Sequence, residues 1–322
     1  MPATDVRFPA ADGRRLQGTW RAPLRPRAAI LLAGATAVPE RAYAALAENL
    51  ADSGLAVLTF DYRGVGKSKA TRLRQEGASM ADWGRLDLEG ALLWLGGQAA
   101  ALPLLLFGHS VGGQLLGLAP SAGRLRGALL VGAQSGYWRH WDGNARLRMW
   151  LNWHLVLPGV TRALGYAPMG ALRMGEDLPP GVAQQWARWG RHPEHLLSEC
   201  TAVEKEAYVR LGFPIRSYHF SDDAFAPRRA VEALAAFYGG TSPEVVTRAP
   251  KDVGTCSIGH FGWLKPAFRD TLWREMTGWL LHRVDEIASH THPIAEVRSL
   301  SGETAGRRGP LRPRDEPSTR AG

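Results

Sequence analysis

The feature that most constrains this chain is a set of short apolar hexads spaced by amphipathic segments. AAILLA at 28–33, LAVLTF at 55–60, LPLLLF at 102–107 and RGALLV at 126–131 carry almost nothing that water solvates well. A strand without polar alternation has no solvent face, so these hexads are predicted to lie in a sheet covered on both sides by helices. Between the first two, Tyr43, Leu46, Ala47 and Leu50 fall on one helical face that ends at Ser53-Gly54. A second helix is predicted over about 80–95, with Asp82 near its start. Strand and helix alternating at this spacing give a parallel, doubly wound α/β sheet. The entrance differs: Val6 and Phe8 alternate with polar residues, Asp12-Gly13 turns, and Leu16, Gly18 and Trp20 alternate again, which predicts an antiparallel hairpin.

From 134 to 208 the rhythm stops. This stretch holds Trp138, Trp141, Trp150, Trp153, Trp186 and Trp189, six of the twelve tryptophans, with breaks at Pro158-Gly159, Pro179-Pro180 and Pro193. It is predicted to be a helical cap inserted over the sheet, with Trp138, Trp150 and Trp189 lining an apolar substrate site. The alternative is that such rings cement the cap to the sheet. The βα pattern returns over 209–288, with strands at 213–220 and 244–248, a helix from about Pro227 to Tyr238, and a last amphipathic helix through Leu272, Met276, Trp279 and Leu280. The α/β core is thus expected in two parts, 1–133 and 209–288. The Arg/Gly/Pro/Ser-rich segment 289–322 has too few apolar residues to fold and is expected to be a disordered tail.

The net charge of +9 raises the question of nucleic acid. Six Arg and four acidic residues after position 288 leave most of the excess scattered over the body as single arginines, and no DNA- or RNA-binding motif accompanies it. Attraction for acidic substrates or surfaces fits this charge better than specific nucleic-acid binding. The first residues lack a basic segment followed by an apolar one, and no apolar run is long enough for stable membrane insertion, so an unexported, cytoplasmic protein is expected. Cys200 and Cys256 have neither metal-ligand nor disulfide spacing. No metal and no cofactor is expected.

Gly108-His-Ser-Val-Gly112 matches G-x-S-x-G, and it has the context that this motif needs: a predicted strand ends at Phe107 and a helical segment follows from Gly113. Glycines flank the serine because side chains there would collide in a strained strand-to-helix turn. Without that context the motif is only a Gly-rich turn. Serine is a weak nucleophile at its free pKa and needs a base oriented by a third group. In this arrangement the acid and then the histidine follow the serine, each in a loop after a late strand. Asp222 and Asp223 follow the strand ending at Phe220, and His260, in Gly259-His-Phe-Gly262, follows the next. Either aspartate is a candidate acid, and either is equally a helix N-cap. His260 could also be a structural turn histidine, and His109 is expected to pack behind the serine. An oxyanion needs two backbone N–H donors. Val111, next after the serine, supplies one, and Ala35, in the loop after the first hexad, is the expected second.

Gly64-Val-Gly-Lys-Ser68 imitates the end of a phosphate-binding loop, but the glycine required five residues before Gly66 is Asp61. It is better read as a turn bracing the sheet edge through Asp61 and Arg63.

Together, Gly34, the run from Asp61-Tyr-Arg-Gly64 to Ser68, Gly108-His-Ser-x-Gly-Gly113, Asp223 with Pro227, and Gly259-His260 resemble the α/β-hydrolase superfamily, on the side of its serine-aminopeptidase-like and monoacylglycerol-lipase-like members. Ala133 to Trp138, Gly175 to Pro179 and Ser221 to Pro227 are similar to a group of bacterial hydrolases. The resemblance spans roughly residues 5 to 285 and implies the α/β-hydrolase fold. It also implies Asp223, four residues before Pro227, as the acid beside Ser110 and His260. Ala33 stands where many members have histidine. The implied activity is a serine esterase that cleaves a small-molecule carboxylic ester, or a thioester or amide, through an acyl-enzyme on Ser110. The alternative is a ligand-binding protein on the same fold without catalysis.

Overall fold

The computed structural model describes residues 3–69 and 72–291. Strands β1 (Thr4–Pro9) and β2 (Arg15–Arg21) form the antiparallel hairpin, with Gly13 at φ +83° in its turn. They lead into β3 (Ala28–Ala33), helix α1 (Ala44–Asp52) and β4 (Leu55–Phe60). A continuous helical run, α2, covers 80–98 and contains a π-helical stretch, Trp83–Leu88. Next come β5 (Leu104–His109), the short helix α3 (Val111–Gln114) and β6 (Ala128–Val131). The sheet order is β1-β2-β4-β3-β5-β6-β7-β8, with β7 at Ile215–Phe220 and β8 at Glu244–Arg248. Only the pairings β1–β2 and β2–β4 are antiparallel.

The absence of alternation in the hexads now has its cause. On β3, Ala29, Leu31 and Ala33 join the core on one face while Ala28, Ile30 and Leu32 join the core on the other. β4 divides in the same way, with Ala56, Leu58 and Phe60 on one side and Leu55 and Val57 on the other. Truncating such a residue to Ala leaves a void on a face that cannot collapse, at a typical cost of about 2–5 kcal/mol.

β3 lies between β4 and β5, so the chain winds outward in opposite directions from the β3–β5 pair. In open α/β sheets the crevice beyond the strand ends at such a switch point is where ligands bind. The loops after β3 and β5 both open there.

Between β6 and β7 the chain forms helices joined by turns and loops, with one isolated bridge, Ala167 to Leu178. A long run, α4 (143–164), includes a π-helical stretch, Asn152–Val156. It is followed by α5 (Pro180–Arg191) and α6 (Ala202–Arg210), the latter opened by a capping box of Thr201 and Glu204. After β7 come α7 (Arg228–Ala235) and, last, α8 (Arg274–Thr291), which extends past the end expected near 288. The remainder of the expected tail, 292–322, lies outside the described residues. No described helix is long and apolar enough to cross a membrane.

One helix is shorter than its sequence suggests. The segment after Ser110 is α-helical only to Gln114, followed by a 3₁₀ turn, Leu116–Leu118. The hydroxyls of Tyr238 and Tyr208 donate to the carbonyls of Gly113 and Gln114, which a continuing helix would use itself.

Candidate active site

The turn between β5 and α3 puts Ser110 at φ +52°, ψ −115°, a left-handed conformation that costs a non-glycine residue roughly 1–3 kcal/mol. Its neighbours explain the glycines of the motif: a Cβ on Gly112 would lie 2.1 Å from the Ala33 carbonyl oxygen. The strained turn is thus wedged against the end of β3. The Ser110 N–H donates to Val131 O at 2.9 Å, tying the turn to β6.

His260 and Asp223 reach the same place from the other side. His260 Nδ1 lies 2.7 Å from Asp223 Oδ2, with both side chains buried. The other carboxylate oxygen of Asp223 accepts the N–H groups of Phe225 (2.8 Å) and Ala226 (3.1 Å), which fixes the direction of the carboxylate. Asp222 points away. It accepts from Ser257 Oγ (3.0 Å) and from the backbone of Ile258 (2.8 Å) and Gly259 (3.1 Å), so it fastens the loop that carries His260. Burial would raise the Asp222 pKa, but the Ile258, Gly259 and Ser257 donors hold it below the usual value. Gly132, next after the Val131 that binds Ser110, has φ +57°, and a Cβ there would come 3.0 Å from His260 Cε1 and 3.3 Å from Asp223 Oδ2. Ser110 and the His260–Asp223 pair therefore flank the same two residues at the end of β6.

Behind the serine runs a buried chain of hydrogen bonds. Ala35 N–H donates to Tyr43 Oη (2.7 Å), Tyr43 Oη lies 2.8 Å from His109 Nδ1, and His109 Nε2 lies 3.0 Å from the His260 carbonyl oxygen. A carbonyl only accepts, so Nε2 carries the proton and Nδ1 accepts from Tyr43. Burial, together with the nearby His260, drives the His109 pKa far down, in keeping with a neutral ring. His109 does pack behind the serine. The same chain corrects the expectation for Ala35: its N–H is already committed to Tyr43 rather than left for an oxyanion. Val111 opens α3, so its N–H has no intrahelical acceptor.

An apolar cavity of about 390 Å³ lies beside this group, lined among others by Met149, Trp153, Met169, Trp186, Gln134 and Phe225. The Phe225 ring is 5.5 Å from the His260 ring, and Gln134 Nε2 donates to Phe225 O. The expected lining by Trp138, Trp150 and Trp189 is corrected. Trp189 is fully buried within the cap, whereas Trp138 and Trp150 line a separate cleft with Leu147. Trp153 and Trp186 line the cavity instead. No periodicity separates lining from cementing tryptophans, because Trp150, Trp153, Trp186 and Trp189 all sit on helices of the same inserted segment.

The loop that imitates a nucleotide site is filled by carboxylates. Asp61 Oδ2 accepts the Lys67 N–H and Glu176 Oε2 accepts the Gly66 N–H, so the amides that would cradle a phosphate already face anions. Arg63 pairs with Asp87 (2.7 Å) and Asp12 (2.9 Å), as a brace of the sheet edge should. Among the described residues no group of three His, Cys, Asp or Glu is placed to hold a metal ion. Burial pushes the Cys200 thiol up to about 12, which keeps it protonated.

With this geometry in hand, comparison with known proteins is informative. Residues 25–164 match the family described as serine aminopeptidase, S33. A search of curated protein sequences finds no match to this chain. Among solved structures, a soluble variant of monoglyceride lipase from Saccharomyces cerevisiae is similar, at 14% identity and a TM-score of 0.61 over 86% of this chain and 94% of that one. Similar too is the esterase Pf2001 of Pyrococcus furiosus, at 14% identity and a TM-score of 0.55 over 88% of this chain and 93% of that one. The esterase domain of a Rhodothermus marinus protein is 18% identical, with a TM-score of 0.53 over 88% of this chain and 100% of that one. At such identities the likeness speaks for the fold. The sheet order, the strained serine turn after β5 and the likeness to these solved structures agree: the chain has the α/β-hydrolase fold.

Proposed function

We propose that the protein is a serine hydrolase that cleaves a carboxylic ester through an acyl-enzyme on Ser110, with thioesters and amides as slower substrates. The observation that carries this reading is the 2.7 Å His260–Asp223 pair set beside a serine in strained left-handed backbone, both against Val131-Gly132. Strain retained at one serine is expected where function requires it.

In this reading Asp223 holds the Nδ1–H tautomer of His260, which leaves Nε2 as the base. Nε2 takes the Ser110 proton as Oγ attacks the acyl carbon. The carbonyl π electrons move onto oxygen, and the Val111 N–H stabilises that oxyanion. Collapse expels the alkoxide, which takes the proton from His260. Water then repeats the sequence on the acyl-enzyme and releases the acid. A serine nucleophile rather than an aspartate argues against alkyl-enzyme chemistry. The alternative, a non-catalytic binder, would have no use for an oriented imidazole next to a strained serine.

The test is covalent labelling. A fluorophosphonate probe is expected to label the wild type, and Ser110→Ala to abolish labelling without lowering the melting temperature appreciably. His260→Ala is expected to abolish turnover of simple esters. A wild type that neither labels nor turns over any ester or thioester would favour the binding protein.

A further inference from the structure

A second opening adjoins the apolar cavity. It is a cleft of about 520 Å³ lined by residues that include Val38, Phe261, Pro266, Met174, Arg173 and Lys265. Three observations relate it to the apolar cavity. Met174 lines both spaces. Phe225, which lines the cavity (5.5 Å), and Phe261, which lines the cleft (4.8 Å), lie side by side against the ring of His260. These two phenylalanine rings are themselves 6.2 Å apart. An ester whose carbonyl reached Ser110 would therefore sit at the divide, with one arm available to each space.

The two spaces differ in chemistry. The cavity is walled by Met, Trp, Leu and Val, with exposed Arg148 as its one charged lining residue. The cleft has an apolar floor, two cations and no acidic residue in its lining. The nearest carboxylate along the chain, Glu176, is already engaged by Arg41 (2.9 Å), Lys69 (2.6 Å) and the Gly66 N–H (2.9 Å). Among the described residues Arg173 and Lys265 form no ion pair. The backbone that carries Arg173 is anchored: Arg173 has φ +55° in a turn whose continuation docks on the loop after β3 through a 2.6 Å bond from Glu176 N–H to Ala37 O. Cations lining a cleft beside the candidate nucleophile, without a carboxylate of their own, are a receptor for an anion in the substrate.

Resting on the reading of Ser110 as an acyl-transfer nucleophile, we infer that the substrate is an ester or thioester with two unlike arms. An apolar acyl chain enters the cavity of Met149, Trp153 and Trp186. An alcohol or thiol leaving group bearing an anionic oxo group, carboxylate or phosphate, lies in the cleft against Arg173 and Lys265.

The experiment compares leaving groups of equal shape and unequal charge: 3-(octanoyloxy)benzoate, its carboxamide counterpart, and 3-(octanoyloxy)phenyl phosphate, which separates phosphate from carboxylate preference. The wild type is expected to favour the anionic esters in kcat/KM by about tenfold at low salt, the effect of two partly exposed charge pairs. Roughly 0.5 M sodium chloride should shrink the preference, because exposed charges are screened at that strength. The double variant Arg173→Ala/Lys265→Ala should lose the preference while hydrolysing the carboxamide ester within about twofold of wild type and labelling normally with fluorophosphonate. Equal kcat/KM for charged and neutral esters in the wild type would overturn the inference, as would a preference that survives in the double variant. A wild type that labels with fluorophosphonate but hydrolyses none of the three overturns this inference alone, whereas one that neither labels nor hydrolyses any ester or thioester removes the acyl-transfer reading and this inference with it.

Discussion

Adjacent carboxylates at 222 and 223 are set to different tasks by where the backbone turns them. Asp223 faces His260 Nδ1, and Asp222 faces the amides of the loop that carries His260. Asp223→Asn keeps the shape but favours the wrong imidazole tautomer, so a loss of about 10²–10⁴ in kcat is expected, with little change in melting temperature. Asp222→Asn should instead cost roughly 1–2 kcal/mol of stability through its loop hydrogen bonds and leave kcat largely intact. Measuring kcat and thermal unfolding for both variants decides the matter, and reversed results would make Asp222 the acid. At this scale Ser110 and His260 were legible as candidates because G-x-S-x-G and Gly-His occupy fixed places relative to strands. Tyr43 was not. Its role comes from a hydroxyl that reaches 66 residues along the chain to His109, and nothing in the helical pattern of 39–50 separates it from an ordinary core residue.

Elements were legible where burial is uniform and obscure where a side chain from elsewhere ends them. β3, β4 and β8 have the bounds that their composition predicts, whereas β5 starts two residues later than LPLLLF suggests and continues through His109. The cap shows the same limit: its helical character was readable, but the division of labour among its tryptophans was not. Trp186, half-buried on α5, lines the cavity, while Trp189 is fully buried in the hydrophobic core. Trp186→Ala is expected to shift preference toward longer or bulkier acyl chains with a modest change in melting temperature. Trp189→Ala should lower stability by about 3–5 kcal/mol and leave chain-length preference unchanged in whatever folds. A panel of acyl esters run beside thermal melts tests both, and unchanged selectivity in Trp186→Ala would remove this wall from the site.

Across the whole molecule, carboxylates join the loops that surround the switch point. Asp61, after β4, accepts the N–H groups of Glu40 (2.7 Å) and Lys67 (2.8 Å) and so holds the loop after β3 against its own. Burial first, then nearby Glu40 and Glu176, push its pKa up to about 6 against the pull of those two donors. A carboxylate whose folded pKa is raised binds its proton more tightly in the fold, so its contribution is full below the unfolded value of 3.8 and is lost as pH rises through about 6. Relative to Asp61→Asn, the wild type is therefore expected to lose roughly 1–3 kcal/mol of stability between about pH 4 and pH 7. A stability difference independent of pH would show that Asp61 is ionised throughout. By itself the sequence determined the doubly wound sheet, the entering hairpin, the place of the serine turn and the order of its partners, because periodicity and glycine placement are local properties of the chain. Only the tertiary structure decided which aspartate meets His260, that Ala35 N–H belongs to Tyr43, that the helix after Ser110 stops at Gln114, and which tryptophans line a cavity. Each of those depends on a hydrogen bond or a ring contact between residues far apart in the chain, and such pairings exist only once the sheet has brought the strand ends together.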